Sequence, residues 1–440
     1  MQRVLSLLVT VAFFTVTTLP AQAVTLLRDP DIEHALKQLA KPVLTAAGLS
    51  PSRVKILIID DRTLNAFVID SRHIFLHSGL VTKVKTAAEL QAVIAHEAAH
   101  IANGHIARRM VNARSAKTVA GIGMALAAAA IAGGADSSAA GALGIGIASS
   151  ASRAFMGHTR AEESSADQSA LRFMVRGGVD PQGAVRLMQI FSGQELVSAA
   201  RQDPYARTHP LSRDRLRHIK AIAEAYEGRT KANPNMDYWF SRAQGKLSAF
   251  QRAPKWTRKR AAESAGQDIR LMRLAVSYHR DSNTAKALKT MQQLLSLRPR
   301  DPFYHELHGQ ILLESRNVGR ALKAYKTAIS LAPKDALILG SYGHALLVSG
   351  NAKAALPMLE KSRARDGRDA RVLRDLAQSY AKLKNPGMAS LVTAERYALQ
   401  GRMKDAGIHA KRAAGILPRG STGWQRAQDV LLASEAAQKK

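Results

Sequence analysis

His96-Glu97-Ala98-Ala99-His100 has the residue types and spacing of a catalytic metal site. On a helix, histidines at i and i+4 face the same way, so both imidazoles can grip one Zn2+ while Glu97 reaches a water beside it. With 14 His in 440 residues, a chance match to this pattern is expected only about 0.02 times per chain. Two solvated histidines on a helix is therefore the weaker reading of the run.

Two imidazoles do not complete a zinc site, so a third ligand must come from elsewhere. On an unbroken helix His105 would point about 140° away from His100, unless Asn103-Gly104 breaks that helix. A third histidine six residues after His100 is missing, because Ile106 stands there. No Glu occurs between Glu97 and Glu162, which leaves Glu162 and Glu163. Glu163, Ala166, Asp167, Ala170 and Met174 share one helical stripe, and it is the apolar one. Two carboxylates facing a core are costly unless a cation meets them. One Zn2+ per chain would meet Glu163, and a zinc-bound imidazole can donate its free N–H to Asp167. Glu162 borders the outward face, where a helix N-terminus also favours an acidic residue.

The elements that must position these residues follow from local pattern. The spacing predicts an opening helix from Asp31 to Ala47, a strand from Val54 to Ile59, and a hairpin of Ala66 to Ile69 with His73 to Leu76. The metal-binding run lies on a helix expected from about Ala87 to Met110. Residues 118–152 are rich in Ala, Gly and Ser, with Asp136 their only acidic residue. Each apolar half of that insert is only about 15 residues, short for a membrane span. Helices resume from about His158 to Val175 and from Asp180 to Phe191.

At the start, Met1-Gln2-Arg3, an apolar run from Val4 to Leu19 and Ala21-Gln22-Ala23 have the layout of a secretory signal peptide over residues 1–23. A periplasmic location is the expectation. Cysteine is absent, which excludes disulfide staples, thiolate catalysis and Cys-held zinc. Sixty-four Lys and Arg against 34 Asp and Glu leave a formal charge of +30. That excess favours anionic surroundings such as a lipid surface or acidic unfolded chains. No aromatic cluster for base stacking accompanies it, so nucleic acid is not expected.

A second pattern begins near residue 268. Pro299 and Pro333 lie 34 residues apart, and Ala287, Ala321 and Ala355 recur at the same step. So do Met291, Tyr325 and Leu359, and the small residues Ala275, Gly309 and Gly343. A 34-residue period with small residues where two helices cross predicts tetratricopeptide-like repeats. The expected division is a catalytic domain over 24–227, a connector over 228–267 with a basic cluster at Arg252 to Arg260, and repeats over 268–440.

HExxH on one helix and Glu163-x-x-Ala-Asp167 on a later one resemble the gluzincin peptidases that include HtpX and the CAAX prenyl proteases. Signal peptide and C-terminal repeats together resemble, more narrowly, the periplasmic β-barrel-assembly-enhancing protease group. The resemblance implies a mainly α (α+β) fold: a zincin-like domain with a small antiparallel sheet, then an α-α superhelix of repeats. It implies that His96, His100 and Glu163 bind zinc, that Glu97 is the general base and that Asp167 supports a ligand. Thr208-His209-Pro210 matches a His-Pro segment of the family, with Arg215 six residues beyond the histidine. By that match His209 acts either in the transition state or as a cap on the metal; read bare, a lone His-Pro is a turn.

The chemistry implied is hydrolysis of peptide bonds, with zinc acidifying a water and Glu97 moving its proton. Related zincins lay their substrate along an edge strand, here taken as His73 to Leu76. A tyrosine to steady the oxyanion is not identified, and Tyr205 is named without support. The substrates expected are unfolded or misassembled envelope proteins, with the repeats contacting them or the outer-membrane assembly machinery. Two other readings are a repeat scaffold with a latent zinc site closed by His209, and a membrane-surface protease inserted through residues 118–152.

Overall fold

A computed structural model describes residues 25–114, 159–194, 201–209, 213–230 and 233–438. The signal peptide expected over 1–23 and the insert over 118–152 lie outside the described residues. The fold is mainly helical with one small sheet, as expected.

Four strands, β1 (Leu26–Leu27), β2 (Lys55–Ile59), β3 (Ala66–Val68) and β4 (His73–His77), form the sheet in the order β1-β2-β4-β3. Strand alternation sends Ile56 and Ile58 into one core and Leu57 and Ile59 into another on the opposite face. That double burial is why β2 is an almost unbroken apolar run. The hairpin of β3 and β4 forms as the pattern predicts, with Phe67 opposite Phe75. The sheet is mixed, however, because β4 also runs parallel to β2, with Ile56 opposite Ile74. This corrects the expectation that His73 to Leu76 is an edge strand. The backbone of β4 is paired on both sides and all five of its residues are buried, so the edge beside it is β3.

Helix α1 (Pro30–Ala46) starts where the Asp29 side chain accepts from the amides of Asp31 and Ile32. Leu36, Leu39 and Val43 then lie in the core beneath the sheet. After α2 (Ser78–Lys83), α3 (Ala87–Ala102) is capped by Thr86 and carries the HExxH run. The single helix expected over 87–110 is broken: Gly104 has φ +69° and α4 (His105–Arg114) starts afresh. Only glycine takes that left-handed conformation without steric cost.

Helix α5 (Arg160–Arg176) opens on a reciprocal cap between Thr159 and Glu162. Four helices follow along the chain: α6 (Gln182–Ile190), α7 (Pro204–Thr208), α8 (Arg213–Ala225) and α9 (Pro234–Gln251). Gly183 lets α6 touch the backbone of α3, since a Cβ there would stand 2.5 Å from the Ala88 carbonyl oxygen. Phe240, Ala243 and Leu247 of α9 join the same core as α1 and α3.

After the short basic helix α10 (Pro254–Arg260), helices pair in succession: α11 (Gln267–Arg280) with α12 (Thr284–Leu297), α13 (Pro302–Glu314) with α14 (Val318–Leu331), and α15 (Ala336–Val348) with α16 (Ala352–Arg365). Then come α17 (Ala370–Lys382) with α18 (Pro386–Leu399), and α19 (Met403–Ile416) with α20 (Thr422–Gln438). The small positions behave as the period implies. A Cβ on Gly309 would stand 2.9 Å from the Tyr325 ring, and one on Gly343 would stand 2.6 Å from Leu359. Backbone and caps repeat too. Ser282, Arg316, Gly350 and Lys384 all have positive φ, and each precedes an asparagine at a helix start: Asn283, Asn317, Asn351 and Asn385.

The repeats fold back onto the sheet. Leu57, Ile59, Ile69 and Phe75 share a hydrophobic cluster with Leu346, Leu373 and Leu376. Asp366 receives Arg28 at 2.7 Å and Lys55 at 2.9 Å, beside that contact. At the other end, buried Arg242 reaches Asp31 at 2.6 Å and Asp301 at 2.7 Å. Charges buried this well are stable only when paired on several sides, so the two joints fix the repeats against the N-terminal half.

Candidate metal centre

Helix α3 presents His96 and His100 one turn apart toward α5, and their Nε2 atoms lie 3.1 Å from each other. Glu163, in the first turn of α5, brings its carboxylate to 3.4 Å from both nitrogens. His209, at the end of α7, adds Nδ1 at 3.2 Å from His96 Nε2 and 3.0 Å from Glu163 Oε1. One ligand atom from each of these four buried residues lies within 4.8 Å of all the others. A tetrahedral zinc with ligands about 2.0–2.1 Å away has ligand–ligand edges of about 3.3–3.4 Å. The donors and their separations therefore fit such an ion.

The electrostatics fit as well. Burial pushes His96 down, but Glu163 and Asp167 outweigh it and lift the imidazole to about 10. Burial and the neighbouring His96 hold His100 well below the ordinary histidine value, in the neutral form a metal requires. Burial also works against the Glu163 carboxylate, yet His209, His96 and His100 keep it well below the usual carboxylate range. The pocket draws positive charge to one point, as a divalent cation supplies.

Glu97 is fully buried, and neither carboxylate oxygen has a hydrogen-bond partner among the described residues. Burial pushes its carboxyl up, opposed by His209 and His96. Such an orphan is costly in a structural role and apt for a group that must exchange a proton. Its Oε1 stands 3.5 Å from His209 Nε2.

Behind the cluster, Asp167 Oδ1 lies 3.1 Å from His96 Nδ1. Arg215 of α8 grips Asp167 with two hydrogen bonds, Nε to Oδ2 at 2.7 Å and Nη2 to Oδ1 at 2.9 Å. Its Nη1 is 2.9 Å from Glu163 Oε2. Although burial opposes the Arg215 charge, Asp167 and Glu163 hold it firmly protonated.

Residues 27–223 match peptidase family M48.

That stretch, the M48 region, holds the motifs that carry the peptidase part of the resemblance, and the resemblance is borne out. A Vibrio cholerae chain with the provisional name beta-barrel assembly-enhancing protease is 28% identical over 221 residues, covering 49% of this chain and 44% of that one. The beta-barrel assembly-enhancing protease of Escherichia coli strain K12 is 25% identical over 291 residues, 64% of this chain and 58% of its own. The mitochondrial metalloendopeptidase OMA1 of Schizosaccharomyces pombe is 26% identical over 205 residues, 46% of this chain and 57% of its own. The chain thus spans about half the length of the curated relatives it matches. Among solved structures, the MamA protein gives a TM-score of 0.30 at 14% identity, covering 39% of this chain and 94% of that one. YrrB, a TPR protein, gives 0.31 at 18%, covering 44% and 96%.

Within the M48 region, His96, Glu97, His100, Glu163, Asp167, His209 and Arg215 come together at one point. Glu162 does not. Its side chain accepts from the Thr159 amide at 3.1 Å and from Arg109 at 3.2 Å, completing the helix cap. Tyr205 is buried, its hydroxyl without a hydrogen-bond partner among the described residues and its ring 4.7 Å from Phe191 and 4.5 Å from His209.

His105 is the residue that sequence reasoning set aside. The break at Asn103-Gly104 swings it back, so its Nδ1 lies 2.9 Å from His100 Nδ1, on the side of His100 away from the cluster. It is no member of the ligand set but supports one. The Asn-Gly pair was the signal.

Proposed function

We propose that the chain is a zinc-dependent endopeptidase of the cell envelope. The observation that carries this reading is the convergence of His96, His100, Glu163 and His209 on one point with Glu97 beside it. Zn2+ held by His96, His100 and Glu163 would polarise the scissile carbonyl and make an adjacent water acidic. Glu97 takes the proton of the attacking water and returns it to the leaving amine. Asp167 accepts from His96 and so fixes which ring nitrogen faces the metal. Arg215 holds both Asp167 and Glu163 in place, and His105 orients His100.

Extended substrate adds to the free side of β3, the edge strand next to β4. The Tyr205 amide donates to the Leu64 carbonyl just before that strand, at 3.1 Å, so the segment carrying His209 borders the same path. In this reading residues 24–227 are the catalytic unit after removal of a signal peptide, and residues 268–440 hold polypeptide or a partner. Relatives named for enhancing β-barrel assembly favour β-barrel envelope proteins as substrates, and the signal-peptide layout of residues 1–23 favours the periplasm as the location. No helix among the described residues is long and apolar enough to cross a membrane.

The test is metal analysis of the purified chain coupled to cleavage of casein with and without a chelator. One zinc per chain and cleavage lost on chelation, then restored by zinc, are expected; cleavage indifferent to chelation would sink the proposal.

A second reading has support from one contact. His209 Nδ1 lies among the ligand atoms, which favours a centre closed at rest. In that case the chain acts mostly as a scaffold until His209 moves away.

A further inference from the structure

A groove of about 680 Å³ crosses α17, α18 and α19, near the C-terminal end of the repeats. Its volume is that of a ligand cleft. Arg374, Lys384, Arg396, Arg412 and His409 line it, and no Asp or Glu does. The acidic residues nearby already have partners, and one of them is paired with the lining Arg374. Asp375 holds His344 at 2.8 Å and Arg374 at 3.0 Å, and buried Glu395 holds Arg363 and Arg426 from below. Lys384, Arg396 and Arg412 have no ion pair among the described residues, and the Nε of Arg396 is buried without a hydrogen-bond partner. Burial and the nearness of Arg412 and Arg396 lower the basicity of His409, outweighing the opposing pull of Asp405.

We infer that this groove binds an acidic, extended segment of a polypeptide. Like charges gathered in a concave wall raise the local concentration of an opposite charge more than the same charges spread on a convex surface. Apolar Ala377, Ala381 and Ala389 on the same lining leave room for a peptide backbone, and Thr393 and Ser390 offer hydroxyls to it. The lining holds no Phe, Tyr or Trp for base stacking. The inference rests on the reading of the repeats as the polypeptide-holding part and is independent of the metal centre.

The experiment is fluorescence anisotropy of a labelled, Asp- and Glu-rich peptide of about eight residues against the full chain. The double variant Arg396→Gln/Arg412→Gln is expected to bind at least about tenfold more weakly, with wild-type binding falling steeply as salt rises. Lys255→Gln/Lys259→Gln on α10 removes the same charge elsewhere and is expected to leave affinity within about twofold. Equal losses in the two double variants would mean bulk attraction and overturn the site. So would unchanged binding in the groove variant, or a groove variant that loses anionic phosphatidylglycerol vesicles but keeps the peptide. Arg396→Lys/Arg412→Lys, which keeps the charge, is expected to restore most of the binding and guards against misfolding. Chelator-sensitive casein cleavage is measured in parallel. If it persists while the peptide ignores the groove, the inference fails and the peptidase stands; if cleavage is absent while the groove binds, the reverse holds.

Discussion

Arg215 bridges the Glu163 and Asp167 carboxylates of α5, with Nε 2.7 Å from Asp167 Oδ2 and Nη1 2.9 Å from Glu163 Oε2. Through that bridge one guanidinium orients a candidate metal ligand and the group behind another. Lysine could reach only one of the two. Arg215→Lys is expected to lower zinc affinity about 10- to 100-fold, the usual loss when a group supporting a ligand is removed. Competition with a chromogenic chelator measures this. Unchanged affinity would make Arg215 a packing residue.

His209 lies among the ligand atoms, 3.2 Å from His96. A metal held by all four groups has no open position for substrate and water. His209→Ala is therefore expected to raise casein turnover several-fold while zinc content stays at one per chain. An inactive variant with normal zinc would instead assign His209 to the transition state.

These positions differ in how far local sequence revealed them. His96, Glu97, His100 and the stripe of Glu163 and Asp167 were legible because helical periodicity alone puts them on one face. The 34-residue step was legible for the same reason, as Gly309 and Gly343 meet the residues sixteen further on. Sequence gave no hint that β4 would slip between β2 and β3, because strand pairing is decided by tertiary packing. It also did not reveal Asp366, whose partners Arg28 and Lys55 lie more than 300 residues away. The supporting place of His105 was left open, because whether Asn103-Gly104 breaks the helix decides where its ring points.

The Asp366 joint gives a pH prediction. Burial opposes its charge, but Arg28, Lys55 and Arg368 outweigh that and hold the carboxyl below the ordinary Asp value. A depressed carboxyl stabilises the fold above its unfolded pKa of about 3.9, and that stability is lost as pH falls below it. Asp366→Asn is expected to cost about 3 kcal/mol near neutral pH and to flatten the acid side of the stability curve. Urea unfolding between pH 7 and pH 3 reads both effects; a parallel downward shift at every pH contradicts the assignment.

The helix crossings give a stability prediction. Gly343→Val drives a side chain into Leu359, 2.6 Å from the first added carbon, and is expected to cost about 1–3 kcal/mol. Gly319, in the first turn of α14, has nothing within 4 Å. Gly319→Ala is expected to be neutral or to stabilise by up to about 1 kcal/mol. Thermal unfolding of the pair checks the contrast, and equal effects would refute the packing argument.

Glu97→Gln tests the account most directly, because it changes one oxygen of a buried carboxylate and leaves the ligands alone. The variant is expected to keep one zinc per chain and to lose casein cleavage by at least about a hundredfold. Full cleavage by a zinc-loaded Glu97→Gln chain would contradict the account.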